Sequence, residues 1–162
     1  MRKTLTLAGA IVLVGVDQSS KILAESLLDS DPGIEPVPWI PGIVDLKLVA
    51  NPGGFGGLLS QLPPWVFILL TFAFVAFVGL LISRLDARQS HQLPALGLLL
   101  AGFTGNGIDR IRNGFVTDFI HIPFLPERIV SRFNIADVCI LLGLGALVCG
   151  YLWSAKQPRQ DS

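Results

Sequence analysis

The sequence predicts an all-α membrane protein: a four-helix transmembrane bundle with a small sheet at its outer surface. Three observations lead there. Hydrophobic residues make up 51 % of the chain and charged residues only 15 %, against about a quarter charged in soluble domains, and the mean hydropathy is +0.63. The apolar residues gather in four segments set apart by polar stretches. Two of the polar stretches alternate like strands. The 162 residues are about one domain's worth of chain and are read as a single membrane-embedded unit, 1–162. The net charge is zero, so nothing points to nucleic acid.

The first apolar segment, "TLTLAGAIVLVGVDQSSKILAESLL", has polar interruptions in its second half, and about 4–23 is taken as the span. "MRK" followed by an apolar run also fits a cleaved signal peptide, but three further spans favour a retained helix. The second segment, 65–83, is nineteen residues without a charge. The third, 93–109, is short and glycine-rich, and the fourth is 135–153. A spanning helix needs about 20 residues, with a range of about 17–25. Segments two and four meet this outright; one and three meet it if their polar ends sit at the interface. Cys139 and Cys149 lie ten residues apart on segment four. Helical rise separates them by about 15 Å, too far for a disulfide, and both are read as packing residues.

Arg2 and Lys3, then Arg84 and Arg88, then Lys156 and Arg159 fall on one side of a four-span topology. The positive-inside rule makes that side cytoplasmic, with both termini there. The first outer loop, about 24–64, is acidic. The second, about 110–134, is basic through Arg110, Arg112, Arg128 and Arg132, against the simple pattern, so those arginines either bind something or contact lipid headgroups. Within these loops "IVDLKLV" (43–49) alternates apolar and charged residues, and "NGFVTDFIHI" (113–122) follows an Asn-Gly turn signal with β-formers.

Charges near spanning segments cost roughly 2.5–3.5 kcal/mol at mid-bilayer and need a reason. Asp17 and Lys21 have the favourable i, i+4 ion-pair order. Asn106, Asp109 and Arg110 share a helix face at the outer end of segment three. They suit either a structural cluster or a substrate-holding one. Asn134 and Asp137 open segment four, where Asn suits the N-cap and an acid suits the third helical position. Asp118 lies on a strand face with Val116, Ile120 and Ile122, so it needs a partner. Asp137, at the same interface, is a candidate. Two carboxyls in a partly dry site share one proton, and such a pair can activate water with one member and protonate a carbonyl with the other. The histidines, His91 and His121, have no recognisable nucleophile motif beside them, and no metal or cofactor is expected. In "NPGGFGGLL" (51–59) Asn51 offers an amide, and the glycines suit a turn or a close backbone approach.

"VDQSSK" (16–21), "GNGIDRIRNGFVTDFI" (105–120) and "FNIADVCILLG" (133–143), in this order around four spans, resemble the type II, lipoprotein signal peptidases of bacteria. The resemblance covers essentially the whole chain. It implies an aspartic endopeptidase of the bacterial cell membrane that removes signal peptides from prolipoproteins, cutting before a diacylglyceryl-modified cysteine. It implies a four-helix membrane bundle with a small extracytoplasmic β-cradle, catalytic roles for Asp118 and Asp137, and substrate contacts from Asn51, Gly53, Asn106, Arg110 and Asn134. Asp17, Lys21 and Asp109 would be structural polar residues, and the partners would be prolipoprotein substrates and membrane lipids, with the enzyme monomeric. The family's N-x-G-x-x-F motif is altered: Asn51 and Gly53 remain, but Phe55 comes one place early and Gly56 stands where the aromatic is expected. A small membrane transporter and a non-catalytic lipopeptide-binding protein are the alternatives.

Overall fold

In the computed structural model, which describes residues 1–53, 61–86, 91–125 and 132–155, four helices carry a four-stranded antiparallel sheet at one end. Helix α1 spans Arg2–Leu27, α2 Pro64–Arg84, α3 Leu93–Asn113 and α4 Ile135–Ala155; the strands are β1 Val37–Ile40, β2 Val44–Asn51, β3 Val116–His121 and β4 Arg132–Phe133. The sheet order is β1-β2-β3-β4. Three helices, α1, α4 and Trp65–Arg84 of α2, are long and apolar enough to cross a membrane by length and composition. Helix α3 is not among them, because its second half carries Asn106, Asp109, Arg110 and Arg112.

The bundle is apolar outside and polar inside at one end. Leu5, Ile11, Phe72, Phe77, Leu141 and Leu142 are exposed, whereas the buried stripe of α1 is Ala10, Asp17, Lys21 and Ala24, one face at helical spacing. Helix α3 is central and touches α1, α2 and α4. Its glycines allow this. A Cβ on Gly102 would strike the Ala136 carbonyl oxygen, and one on Gly105 would lie 2.6 Å from Asp17 Oδ2. Val78, Ile82, Leu93, Leu96 and Leu99 fill the end away from the sheet, and Phe74 stacks on Phe103 with centroids 4.7 Å apart.

Several boundaries differ from expectation. Helix α1 runs to Leu27 and α3 to Asn113, beyond 23 and 109, because helices continue past their apolar runs until something stops them. For α3 the stop is Gly114 at φ +79, whose N–H caps Arg110 O, a left-handed cap that glycine adopts without strain. Strand β1, within "EPVPWIPG", has no signal in the sequence pattern, since prolines belong at sheet edges; it pairs with β2 around an irregularity between Pro38 and Ile40. The expected two-faced alternation of β3 fails at its start. Val116, Thr117 and Asp118 are all buried, because that end lies between the sheet and the helix tips. Cys139 is buried but Cys149 is exposed, so only Cys139 packs inside the chain. Both are free thiols. Arg88, Arg128, Lys156, Arg159, Phe55 and Gly56 lie outside the described residues.

Candidate active site

The start of α4 holds the first carboxylate. Asn134 precedes the helix, and its Oδ1 accepts from Asp137 N at 2.9 Å, while Asp137 Oδ2 accepts from Asn134 N at 3.2 Å. This is a reciprocal cap, with acid and amide satisfying each other's backbone donors. Another free donor of this helix end, Ala136 N, bonds Asp17 Oδ1 of α1 at 2.9 Å.

Strand β3 supplies the second carboxylate. Asp118 is 2 % exposed. Its Oδ2 accepts from Asn51 Nδ2 and its Oδ1 from Asn134 Nδ2, both at 2.8 Å. The Asn51 side chain is itself fixed, since Oδ1 takes the N–H of Gly53 at 3.3 Å. Asn134 therefore bonds both carboxyl groups and brings the strand acid to the helix acid. Burial, and then the neighbouring Asp137 charge, push the Asp118 carboxyl up to about 7; hydrogen bonds from Asn51 and Asn134 and the Lys21 charge pull the other way.

Beneath the two acids lies a buried ion network. Lys21 Nζ meets Asp17 Oδ2 at 2.9 Å, Asp109 Oδ2 at 2.8 Å and Asn106 Oδ1 at 3.1 Å. Asn106 Nδ2 then donates to Asp137 Oδ1 at 2.8 Å. Arg110 lies over the Phe67 ring at 5.1 Å and donates to Asn106 O at 3.3 Å. Its Nε is buried without a hydrogen-bond partner among the described residues, which leaves a donor for an incoming group. The structure thus joins all ten residues singled out in the sequence, with Gly53 acting through Asn51.

Three contributors escape the sequence pattern. Gln18 Nε2 donates to Asp109 Oδ1 at 2.8 Å, to Gly105 O at 3.1 Å and to Asp17 Oδ2 at 3.2 Å. Thr117 Oγ1 donates to Glu25 at 2.7 Å, and Thr117 N to Asp109 Oδ2 at 3.2 Å. Gln18 is detectable as a polar residue beside Asp17 inside an apolar run. Nothing local marks Glu25, whose partner is 92 positions away. Of the two histidines, His121 faces Asp45 at 3.7 Å on the same strand as Asp118, but it is not part of the carboxyl pair's hydrogen bonding.

A buried carboxyl, Asp118, and a half-buried one, Asp137, are held by one residue, Asn134, through its side-chain amide and its backbone N–H respectively. With Asp118 holding its proton near neutrality, they form an acid–base pair suited to activating water against a carbonyl. Residues 9–153 match the peptidase family Signal peptidase (SPase) II. The chain is 37 % identical over 152 residues to the lipoprotein signal peptidase of Clostridioides difficile, covering 92 % of this chain and 95 % of that one. It is 34 % identical over 143 residues to that of Symbiobacterium thermophilum, covering 88 % and 91 %. A bacterial membrane enzyme structure determined by the in meso method at 2.3 Å resolution superposes with TM-score 0.83 at 25 % identity, covering 98 % of this chain and 94 % of that one. A second, at 1.9 Å, shares the fold at TM-score 0.76.

Proposed function

The chain belongs to the signal peptidase II family of aspartic peptidases, membrane enzymes that cleave lipoprotein signal peptides, and from that premise we propose that Asp118 and Asp137 are its catalytic pair. One observation carries this assignment: Asn134 hydrogen-bonds both carboxyl groups. One member ionised and one protonated suffices for hydrolysis. The ionised carboxylate takes a proton from water as the water oxygen attacks the carbonyl before the diacylglyceryl-modified cysteine. The other gives its proton to the carbonyl oxygen. When the tetrahedral adduct collapses, the cysteine's amine leaves with a proton. Asn51, Gly53, Asn106, Arg110 and Asn134 hold the peptide backbone or the acids; the free Arg110 Nε is a donor for a substrate carbonyl.

We further propose four spans with both termini cytoplasmic and the active site at the outer face of a bacterial cell membrane. Pairing of β2 with β3 supports this, because β2 follows α1 and β3 follows α3. Helix α3 must therefore return the chain from the far end of α2 to the side of the sheet. Its 21 residues reach about 31 Å, close to the hydrocarbon thickness. A monomer suits a site built from one chain, and the exposed apolar helix faces suit a lipid surround.

Cleavage of a diacylglyceryl-modified prolipoprotein by the purified protein in detergent tests the pair. Asp118→Asn and Asp137→Asn are each expected to lower kcat on the order of 10²–10⁴-fold, the usual worth of a general acid or base, and EDTA to leave activity unchanged. Normal turnover in either folded variant refutes the pair, and loss of activity with EDTA refutes the metal-free mechanism.

A further inference from the structure

The buried ammonium of Lys21 sits beneath the acids without touching either. It is 1 % exposed and meets three oxygens: Asp17 Oδ2, Asp109 Oδ2 and Asn106 Oδ1. An ammonium has three donors and no acceptor. It can face only the carbonyl end of the Asn106 amide, so the orientation of that amide follows from chemistry alone. The Asn134 Nδ2 atom, 3.2 Å from the same Asn106 oxygen, imposes the same orientation. Asn106 Nδ2 is thereby turned onto Asp137 Oδ1. With the amide reversed, an oxygen would meet Asp137, and only a protonated Asp137 could bond it.

The two acids are consequently not equivalent. Asp137 has a dedicated amide donor from Asn106, a backbone donor from Asn134 and a helix N-terminus, all favouring the anion. Asp118 lies on a strand. One of its two donors, Asn134 Nδ2, is shared with Asn106 Oδ1 and Thr117 O.

We propose that Lys21 is a positioning residue: by fixing the Asn106 amide, it makes Asp137 the carboxylate that takes the proton from water and Asp118 the carboxyl that protonates the scissile carbonyl. This rests on the catalytic pair proposed above. The proton balance closes. Water's oxygen bonds the carbonyl carbon, one water proton moves to Asp137, and the Asp118 proton moves to the carbonyl oxygen. On collapse the C–N bond breaks, the Asp137 proton goes to nitrogen, and a hydroxyl of the adduct returns a proton to Asp118. The charges facing Lys21 are Asp17 on its own helix and Asp109 on α3. Those interacting with Asp118 are Asp137 on α4, Lys21 on α1 and Arg110 on α3.

Kinetics of Lys21→Met, Asn106→Leu and the double variant test the role, with the full chain in an ester-free detergent. Lys21→Met is expected to lower kcat about tenfold or more, as for a misplaced catalytic group, with KM changed less than about twofold. The alkaline limb of its kcat–pH profile should move upward, because a cation opposing the raised Asp118 value is gone. The double variant should lose no more than the worse single variant, since Lys21 acts through Asn106. Multiplying losses, or an unmoved limb, would overturn the role. Should Lys21→Met fail to fold, infrared spectra of Asp118→Asn and Asp137→Asn decide. Below the Asp118 value, the protonated-carboxyl stretch should vanish in Asp118→Asn and persist in Asp137→Asn. The reverse overturns the assignment. Full turnover in either aspartate variant overturns the pair itself. Loss in both, with multiplying effects of Lys21 and Asn106, overturns Lys21 alone.

Discussion

Asn51 shows how much one side chain decides. Its amide is held by the Gly53 N–H and donates to Asp118, and this bond is one of the forces pulling the Asp118 carboxyl down from an otherwise higher value. The carboxyl already sits near 7, above its ordinary 3.8. Below that point the pair keeps its shared proton; above it the proton is lost and turnover falls. Replacing Asn51 with Leu removes a donor to the anion, so the anion is disfavoured, the proton is held to higher pH and the alkaline limb moves up. A hydrogen bond to a charged group is worth about 1.5–3 kcal/mol, so the shift should be on the order of one pH unit. A kcat–pH profile of Asn51→Leu checks this, and a limb moving downward would show that Asn51 does not stabilise the anion. Gly53 has a related part. Its buried backbone N–H fixes the amide.

At the level of elements, the site depends on how closely α3 approaches α4. Gly102 faces the carbonyl oxygen of Ala136 and the side chain of Ile140, and a Cβ on Gly143 would lie 2.9 Å from Ala95 O. Asn134 and Asp137 lie just before and just inside the start of α4, and Asn106 and Asp109 lie one and two turns beyond Gly102 on α3. A methyl group at Gly102 would meet backbone, which cannot swing aside, so the helices must separate. Overpacking of this kind costs about 1–3 kcal/mol, and the separation would lengthen the 2.8 Å bond from Asn106 to Asp137. Gly102→Ala should therefore lower both thermal stability in detergent and turnover. Gly145, on α4, would have nothing within 4 Å of an added methyl group and is the control: Gly145→Ala should leave both unchanged. Equal behaviour of the two variants would show that close helix approach does not hold the site together.

For the whole molecule, the bundle is legible in the sequence because lipid-facing helices are apolar along their length, and polar residues inside them stand out. Asp17, Lys21, Asn106, Asp109 and Asp137 are visible for that reason. Contacts between distant segments are not. The approach of Asp118 to Asp137, nineteen positions apart, and the bond from Thr117 to Glu25 depend on how the sheet seats on the helix tips, which spacing does not encode. Strand β1 is hidden by its prolines. The seating also bears on topology. The sheet gathers the ends of α1 and α3 and the start of α4 at one end of the bundle, so the proposed four spans would put Asp86, just past α2, and Ser154, at the end of α4, on the other side. Single-cysteine variants, with Cys139 and Cys149 replaced by alanine, test this with a membrane-impermeant maleimide on whole cells. Gly33→Cys, in the exposed turn before β1, should label from outside. Asp86→Cys and Ser154→Cys, both exposed positions, should label only after permeabilisation. If α3 did not cross, α4 would run outward and Ser154→Cys would label in intact cells. That position therefore separates four spans from three, and with them an outer active site from an inner one.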